Sequence, residues 1–245
     1  MKVFADYHTH TRFSHGKGTV MDNVRAAARK GLEAVAITDH GPANLFGLGI
    51  RSLATFDEIA EEVERSREAF PEVRVLMGVE ANIIDTDGGL DVPDDLLKRL
   101  EIVLAGHHLL VRGRTLPDWW KLSARNYAAR WSRRLADRAR VDNTKSLIEA
   151  IRRNRVDVVT HPGLHVSIDT EELARECAMV GTALEINAKH AHLDTEFIKV
   201  AAREGASFCI SSDAHSPEEV GDFGRALEVA IHAGLDPERI INVRA

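Results

Sequence analysis

The chain has few of the features that mark membrane, secreted or disulfide-bonded proteins. Its two cysteines, Cys177 and Cys209, lie far apart without CxxC spacing, so we expect no disulfide framework. No apolar run approaches the roughly 20 residues that a membrane-spanning helix needs. Polar residues begin by position 6, which is too early for a secretory signal. These absences predict a cytoplasmic protein without a membrane partner.

Several catalytic and nucleotide-binding motifs are also missing. The chain has no GxSxG nucleophile motif, and "GLGIRS" near residue 47 lacks the GK[ST] ending of a P-loop. A formal net charge of −6 gives no general reason to expect nucleic acid as a partner. With 44% hydrophobic and 29% charged residues among 245, the composition is that of a globular protein with a sizeable core.

Short β-branched runs alternate with helical patterns along most of the sequence. The predicted strands cover residues 2–7, 34–38, 73–81, 101–108, 156–161, 183–187 and 207–212. The predicted helices lie near residues 20–30, 55–69, 143–154, 170–179, 194–204 and 217–233. Strict alternation is typical of βαβ units and a parallel sheet. Seven strands without a Pro/Gly-rich linker predict an α/β fold of one domain over residues 1–245, a closed or nearly closed barrel.

Residues 112–140 interrupt this alternation as a basic, tryptophan-containing insertion. The segment holds all three tryptophans and has nine arginines and lysines against two aspartates. A helix face is predicted from residues at three- and four-residue spacing, namely Trp120, Ala124, Tyr127, Trp131 and Leu135. Packing on the barrel, a contact between subunits of a homo-oligomer and an active-site lid all remain open. Nucleic-acid binding by aromatic and arginine side chains is the least favoured interpretation.

Histidines and acids follow the predicted strands, each at a carboxyl end. In chain order they are His8, His10, Asp39, His40, Glu80, His107, His108, His161, Glu185, Asp213 and His215. The carboxyl ends of parallel barrel strands converge on the face where active sites form. Residues two apart on a strand point to the same side, so His8 and His10 can reach one ion.

The number of candidate ligands indicates more than one metal ion. Burying so many polar and charged groups without a cation would be costly. The seven histidines alone, before any carboxylate is counted, exceed the four positions of one tetrahedral zinc. Two or three ions are therefore expected, and close ions commonly share a hydroxide.

Seven motifs of the chain resemble those of the PHP (polymerase and histidinol phosphatase) family. In order they read "DYHTHTRFSHG", "ITDHG", "GVEAN", "GHH", "THPG", "LEIN" and "SSDAH". The resemblance runs from residue 3 to about residue 243, interrupted only by residues 112–140. It looks closest to the stand-alone bacterial PHP phosphoesterases. It therefore implies a distorted (β/α)7 barrel and a metal-dependent phosphoesterase activity.

The resemblance also implies a site with three divalent metal ions and nine ligands. The first ion would have His8, His10, Glu80 and Asp213, the second Glu80, His107 and His161, and the third His15, His40 and His215. Glu80, which would bridge two ions, and Asp213 are the expected catalytic carboxylates. His108 should point to the other side of its strand. Zinc suits this ligand set, and ligand type does not exclude manganese or iron.

Other residues near these motifs are candidates for supporting or substrate-binding roles. Arg12, Lys17 and Lys189 are the nearest cationic candidates for binding a phosphate group. Asp6 and Asp39 lie beside ligands, where they either orient imidazoles or cap strand ends.

Three function classes follow from these residues. We favour a phosphatase acting on a small phosphomonoester, with metal-bound hydroxide as the nucleophile at neutral pH. Histidinol-phosphate phosphatase is a rival within that class. A PHP-type nuclease or phosphodiesterase is supported only by the basic residues 112–140. A non-enzymatic metal-binding scaffold is disfavoured by the complete ligand set.

Overall fold

Seven parallel strands, arranged in chain order, form the sheet at the centre of the fold. The computed structural model describes residues 1–190 and 195–244. The strands are β1 (Lys2–Val3), β2 (Ala5–Asp6), β3 (Ala34–Ile37), β4 (Arg74–Asn82), β5 (Ile102–Gly106), β6 (Val158–Val159), β7 (Ala183–Asn187), β8 (Ser207–Ser211) and β9 (Val243–Arg244). Strands β2 to β8 form the parallel sheet, while β1 and β9 pair separately as an antiparallel ribbon.

Backbone hydrogen bonds just beyond the strands bring the two edges of the sheet together. Thr9 and Ala214 form an isolated parallel bridge between the segments that follow β2 and β8. The amide of His10 donates to the carbonyl of Ala214 at 2.8 Å, and the amide of Ala214 donates to the carbonyl of His8 at 3.3 Å. The sheet is therefore a nearly closed barrel, and the predicted distorted (β/α)7 barrel of a single domain is confirmed.

Helices cover the outside of this barrel. They are α1 (Val20–Arg29), α2 (Thr55–Ala69), α3 (Asp94–Leu97), α4 (Leu116–Trp119), α5 (Arg125–Ala128), α6 (Arg133–Arg153), α7 (Thr170–Val180), α8 (Thr195–Arg203) and α9 (Gly224–His232), with π- or 3₁₀-helices at Trp120–Ala124, Ala129–Trp131 and Pro237–Arg239. Thr19 and Asp22 form a capping box at the start of α1. Gly181, with φ of 82°, ends α7 in the left-handed conformation that favours glycine. Among the residues that the structure describes, no helix is long and apolar enough to cross a membrane.

Alternate residues of each strand face the helices or the barrel interior. On β5, Val103 and Ala105 pack in the large core under the helices, whereas Leu104 belongs to a smaller buried cluster formed by strand residues. On β4, Val75 and Val79 face the helices, and Leu76 faces the interior. This period of two decides which side chains beyond the strand ends reach the mouth of the barrel.

The segment 112–140 is not the continuous helix that its spacing predicts. A π-helix and a 3₁₀-helix divide it, and Ser132 caps a new helix, α6. The predicted helix near residues 143–154 therefore begins earlier, inside this segment. Trp131 is 82% exposed instead of packed on the barrel. Leu122 and Asn126 make the buried contact of the segment instead, and Asn126 exchanges side-chain hydrogen bonds with Asn143 of α6.

Candidate metal centre

The carboxyl ends of the strands surround a pocket of about 600 Å³. Glu80 lies near the carboxyl end of β4, and Asp213 follows β8. His8 and His10 follow β2 and are fully buried. Three separate parts of the chain thus meet at one point, which is the convergence predicted for a parallel barrel.

His8, His10, Glu80 and Asp213 form the first ligand group. His8 Nε2 lies 3.0 Å from His10 Nε2 and 3.1 Å from Glu80 Oε2. His10 Nε2 lies 3.5 Å from Glu80 Oε2 and 3.3 Å from Asp213 Oδ1, and His8 Nε2 lies 3.8 Å from the same Asp213 oxygen. Tetrahedral zinc with bonds of about 2.0–2.1 Å separates its ligand atoms by roughly 3.3 Å. His8, His10 and Asp213 therefore have the mutual spacing of ligands around a single ion, and Glu80 Oε2 lies within 3.5 Å of both imidazole nitrogens.

The second oxygen of Glu80 belongs to another group. Glu80 Oε1 lies 2.9 Å from His161 Nε2 and 3.2 Å from His108 Nε2. The two histidine nitrogens are 3.3 Å apart. All three distances again match ligands of one ion. Glu80 thus directs one carboxylate oxygen to each of two neighbouring groups, which is the geometry of a bridging ligand.

A third group of imidazoles lies on the solvent side of the first. The rings of His15 and His40 stack with centroids 5.0 Å apart, and the rings of His15 and His215 are 4.3 Å apart. Ring nitrogens of His10, His40 and His215 lie within 4.8 Å of one another. The structure brings together the three histidines predicted for a third ion and places His10 between this group and the first.

Several of these imidazoles have one nitrogen engaged and the other directed into the cluster. His8 Nδ1 contacts Glu185 Oε1 at 2.6 Å, His15 Nδ1 contacts the carbonyl of Leu48 at 3.0 Å, and His108 Nδ1 contacts Asn82 Oδ1 at 2.8 Å. Each oxygen accepts an Nδ1 proton, so Nε2 retains the lone pair that a metal needs. This arrangement is typical of metal-binding histidines.

Buried atoms without hydrogen bonds lie in the same place. Glu80 Oε2 and His40 Nδ1 are buried and form no hydrogen bond among the described residues, although only 2.8 Å separates them. Their contact lacks the angles of a hydrogen bond. A buried carboxylate oxygen without a hydrogen bond destabilises the fold, because its lost hydration is not replaced, and a bound cation would compensate for that loss. The residues therefore fit bound metal ions.

The comparison with known proteins agrees with this site. A sequence profile described as the PHP domain matches residues 6–188. The chain belongs to the PHP family. A protein of Thermoanaerobacter sp. named "Probable phosphatase" is 32% identical over 99% of this chain and 91% of its own length. Another of that name, from Shewanella oneidensis, is 31% identical over 99% of this chain and 88% of its own.

A solved structure shares the fold. Histidinol phosphate phosphatase from Lactococcus lactis, determined with zinc, L-histidinol and phosphate, superimposes with a TM-score of 0.65 at 16% identity. The alignment covers 95% of this chain and 94% of that protein. With the family match and the named relatives, the chain is a metal-dependent phosphatase of the PHP family, a hydrolase of phosphate esters.

The electrostatics of this PHP site favour ionised carboxylates but divide the imidazoles. Burial alone would lower the pKa of His8 and His161, but neighbouring carboxylates raise it, whereas burial dominates at His40 and His215. Burial would raise the pKa of Glu80, but His8 and other neighbouring histidines hold it well below its usual range. Asp213 behaves in the same way, because His8 and His10 outweigh its burial and keep its pKa low. Burial lowers the pKa of His40 and of His215 to about 4. At neutral pH Glu80, Asp213, His40 and His215 therefore have the protonation states that metal coordination requires, whereas a cation would have to displace a proton from His8.

The structure reverses the orientations predicted for His107 and His108. His107 Nε2 donates toward the carbonyl of Asn143 at 3.2 Å and contacts Ser146 Oγ at 2.9 Å, both on α6. His108 instead meets Glu80 and His161. The physical reason is strand periodicity, because His107 continues the helix-facing side of β5 and His108 the interior side. The prediction of His107 as the ligand was wrong in this respect, and His108 takes its place in the second group.

His161 reaches the site by leaving the strand periodicity. The residue follows β6 with a φ of 27°, and Asp213 follows β8 with a φ of 55°. Such values are uncommon for residues other than glycine and cluster at functional sites. The amide of His161 donates to Glu185 Oε2 at 2.6 Å, and Asn187 Nδ2 donates to Asp213 Oδ2 at 3.1 Å. These bonds hold both ligands in place.

Asp6 and Asp39 support the loops of the site and do not contact the imidazole rings. Asp6 accepts hydrogen bonds from the backbone and hydroxyl of Ser212 at 3.2 and 2.5 Å, and from the amide of Gly221 at 2.8 Å. Asp39 accepts from the amide and hydroxyl of Thr11 at 2.8 and 2.6 Å and from Ser14. Both carboxylates therefore fix the loops that present the ligands.

The three predicted substrate-binding cations have different positions. Lys17 and Lys189 line the pocket, and Lys189 Nζ lies 2.6 Å from His215 Nδ1. Arg12 does not line it, because its guanidinium pairs with Glu62 of α2 at 2.5 Å. The structure therefore contradicts the prediction for Arg12, whose role here is to join the first loop to a helix.

Some pocket residues were not predicted as substrate-binding residues. Tyr127 and Arg130, from the segment 112–140, line the mouth of the pocket. The only sequence feature that pointed to them was the basic and aromatic composition of the segment. Two loop histidines, His165 and His190, also line it, and His190 Nε2 lies 3.3 Å from Asp213 Oδ2. A third, His192, lies outside the described residues.

Proposed function

We propose that this PHP protein hydrolyses a small phosphomonoester with three divalent metal ions. The observation that carries the proposal is the division of Glu80 between two ligand groups, one oxygen to each. The third group, of His15, His40 and His215, adjoins the first through His10. Three adjacent groups of this kind agree with the ligand count expected from the sequence.

The roles of the residues follow from their positions. His8, His10, Glu80 and Asp213 would hold the first ion, Glu80, His108 and His161 the second, and His15, His40 and His215 the third. Bound divalent ions polarise a phosphoryl oxygen and lower the pKa of coordinated water. Lys17 and Lys189 at the edge of the cluster would bind the phosphate group and oppose its charge.

The histidine-rich ligand set favours zinc, although manganese and iron also accept imidazole and carboxylate ligands. The relative from Lactococcus lactis was determined with zinc in its structure. We therefore propose zinc as the first metal to test.

The pocket supports a small substrate over nucleic acid. Its volume of about 600 Å³ is within the range for a small-molecule site. A single metabolite can be enclosed between the ligands and the wall that contains Leu48, Leu164 and Tyr127. A polynucleotide would need an open groove, and the net charge of −6 does not favour one.

The experiment is a comparison of ester classes with protein reconstituted with zinc or manganese. We expect hydrolysis of phenyl phosphate and other small monoesters, and rates at least tenfold lower on bis(4-nitrophenyl) phosphate and on single-stranded DNA. The same assay on chelator-treated protein should give no activity above background. Faster hydrolysis of the diester, or DNA binding with a steep salt dependence, would favour a phosphodiesterase or nuclease instead.

A further inference from the structure

The pocket has a second zone beyond the metal ligands. Leu48, Leu109, Leu110 and Leu164 give this outer zone an apolar wall. Tyr127, which is 37% exposed, adds an aromatic ring from the segment 112–140. A phosphoryl group at the ligand cluster would leave the organic part of the ester against this wall. An apolar and aromatic lining favours an organic part that is itself largely apolar or aromatic.

Arg130 adds a positive charge to the outer zone. Its guanidinium carbon lies 5.4 Å from the centre of the Tyr127 ring, a distance typical of a cation–π contact. Among the described residues, no carboxylate lies within ion-pairing distance of Arg130, whereas Arg125 and Arg140 pair with Asp142 and Asp169. The Arg130 side chain is thus placed by an aromatic ring and retains free N–H donors at the pocket mouth.

The outer zone has no matching negative charge. Within the described part of the chain, the carboxylates that line the pocket are Glu80 and Asp213, and both belong to the ligand cluster. Lys17, also without an ion pair among these residues, lines the same pocket. An ammonium group on the organic part of a substrate would therefore meet cations without a carboxylate partner. A carboxylate or a second phosphate would meet donors instead.

We propose that Tyr127 and Arg130 form a specificity subsite for a phosphomonoester whose organic part is apolar or aromatic and carries a second anionic group. This inference rests on the phosphatase activity proposed above. It assigns the basic insertion a role in substrate choice, while the metal ligands stay on the barrel. It also disfavours substrates with an amine, such as histidinol phosphate, at this site.

Three matched esters test the subsite on the metal-loaded protein. Phenyl phosphate, 4-carboxyphenyl phosphate and 4-(aminomethyl)phenyl phosphate differ mainly in the charge of one substituent. We expect the highest kcat/KM for the carboxylate and the lowest for the amine. Arg130→Gln should lower kcat/KM for the carboxylate about tenfold more than for phenyl phosphate, because one charge-assisted hydrogen bond is lost. Comparing each ratio between variants removes the intrinsic reactivity of the esters.

Arg134→Gln is the matched control. Arg134 is an exposed arginine of the same segment that does not line the pocket. Its substitution changes the net charge as Arg130→Gln does and should leave the ester ratios unchanged. An equal loss in both variants would show a general charge effect and would overturn the subsite.

Binding of two phosphonates separates this inference from the proposed function. Calorimetry should show that 4-carboxybenzylphosphonate binds the metal-loaded protein about tenfold tighter than benzylphosphonate, with the preference lost in Arg130→Gln. This binding pattern without hydrolysis of any ester would refute the proposed function and keep the subsite. Hydrolysis of phenyl phosphate with no carboxylate preference, or with one that persists in Arg130→Gln, would refute the subsite alone. Neither hydrolysis nor discrimination would refute both.

Discussion

The barrel mouth and the segment 112–140 contribute to one pocket in contrasting ways. At the barrel mouth, ligand side chains such as His8 and Glu80 are fully buried, and their orientations are set by hydrogen bonds from other buried groups. In the segment, Trp131 and Leu116 are each 82% exposed, and the helix departs from the α-helical hydrogen-bonding pattern twice.

This difference separates two requirements of an enzyme. Metal coordination requires atoms fixed within a few tenths of an ångström, which a closed sheet with buried supporting bonds provides. Substrate choice requires only a few groups at the pocket edge, which a segment outside the barrel can supply. Changes at the barrel mouth should therefore affect metal content and catalysis strongly, and changes in the segment that lie away from the pocket should have small effects.

The largest effect is expected from Glu80→Gln. The amide has one carbonyl oxygen and cannot hold two ions as a carboxylate does. We expect loss of metal from both groups that Glu80 joins and a fall in kcat/KM of about a thousandfold, since bound ions contribute several kcal/mol to such reactions.

Elemental analysis, phosphatase assays and circular dichroism would measure metal, rate and fold in this variant. Glu62→Gln is the control, because Glu62 pairs with Arg12 away from the pocket and should keep activity within about twofold. Full metal content and near-normal rates in Glu80→Gln would show that Glu80 is not the bridge.

Smaller and more selective effects are expected from alanine substitutions of two adjacent histidines. His108→Ala should remove one ligand of the second group and lower both metal content and activity, by about 100-fold in kcat/KM. His107→Ala should keep the metal but lower the free energy of unfolding by about 2 kcal/mol, because it removes the hydrogen bonds of this buried ring to α6 and leaves a cavity in its place.

Thermal unfolding and metal analysis of the two single variants would measure this difference. The opposite pattern, with metal lost in His107→Ala and retained in His108→Ala, would restore the assignment made from the sequence.

The smallest effect is expected from Trp131→Ser. With 82% of its surface exposed, Trp131 should contribute no more than about 0.5 kcal/mol to stability in the monomer. Denaturant unfolding would measure this term, and sedimentation of the wild type and the variant would show whether the exposed ring contributes to a homo-oligomer. A loss of several kcal/mol would mean that the ring is buried in the folded protein.

Much of the barrel and most of its ligands could be predicted from the sequence, for identifiable reasons. Strand length and β-branched runs located β3, β4, β7 and β8 to within one residue or two, and each motif lies at or just beyond the carboxyl end of a strand. The error at His107 arose because residues 102–106 are apolar or glycine throughout, so the sequence predicts the period of two but not which face is the interior. The packing of Val103, Leu104 and Ala105 in the fold decides this.

Other features depend on tertiary contacts that no local pattern contains. The pairing of Arg12 with Glu62 joins residues 50 positions apart. Tyr127 and Arg130 reach the pocket through the breaks in the helical segment, whereas the spacing of apolar residues predicts an unbroken helix face. His161 reaches Glu80 through a positive φ that strand periodicity does not predict. Long-range packing decided each of these positions.

Metal content per chain tests the central claim most directly. Protein purified without chelator, supplied with zinc or manganese and freed of unbound ions, should contain close to three ions per chain by elemental analysis and native mass spectrometry. The claim follows from the three ligand groups that meet around Glu80 and His10. A reproducible value of one ion or fewer after reconstitution would contradict the trinuclear site.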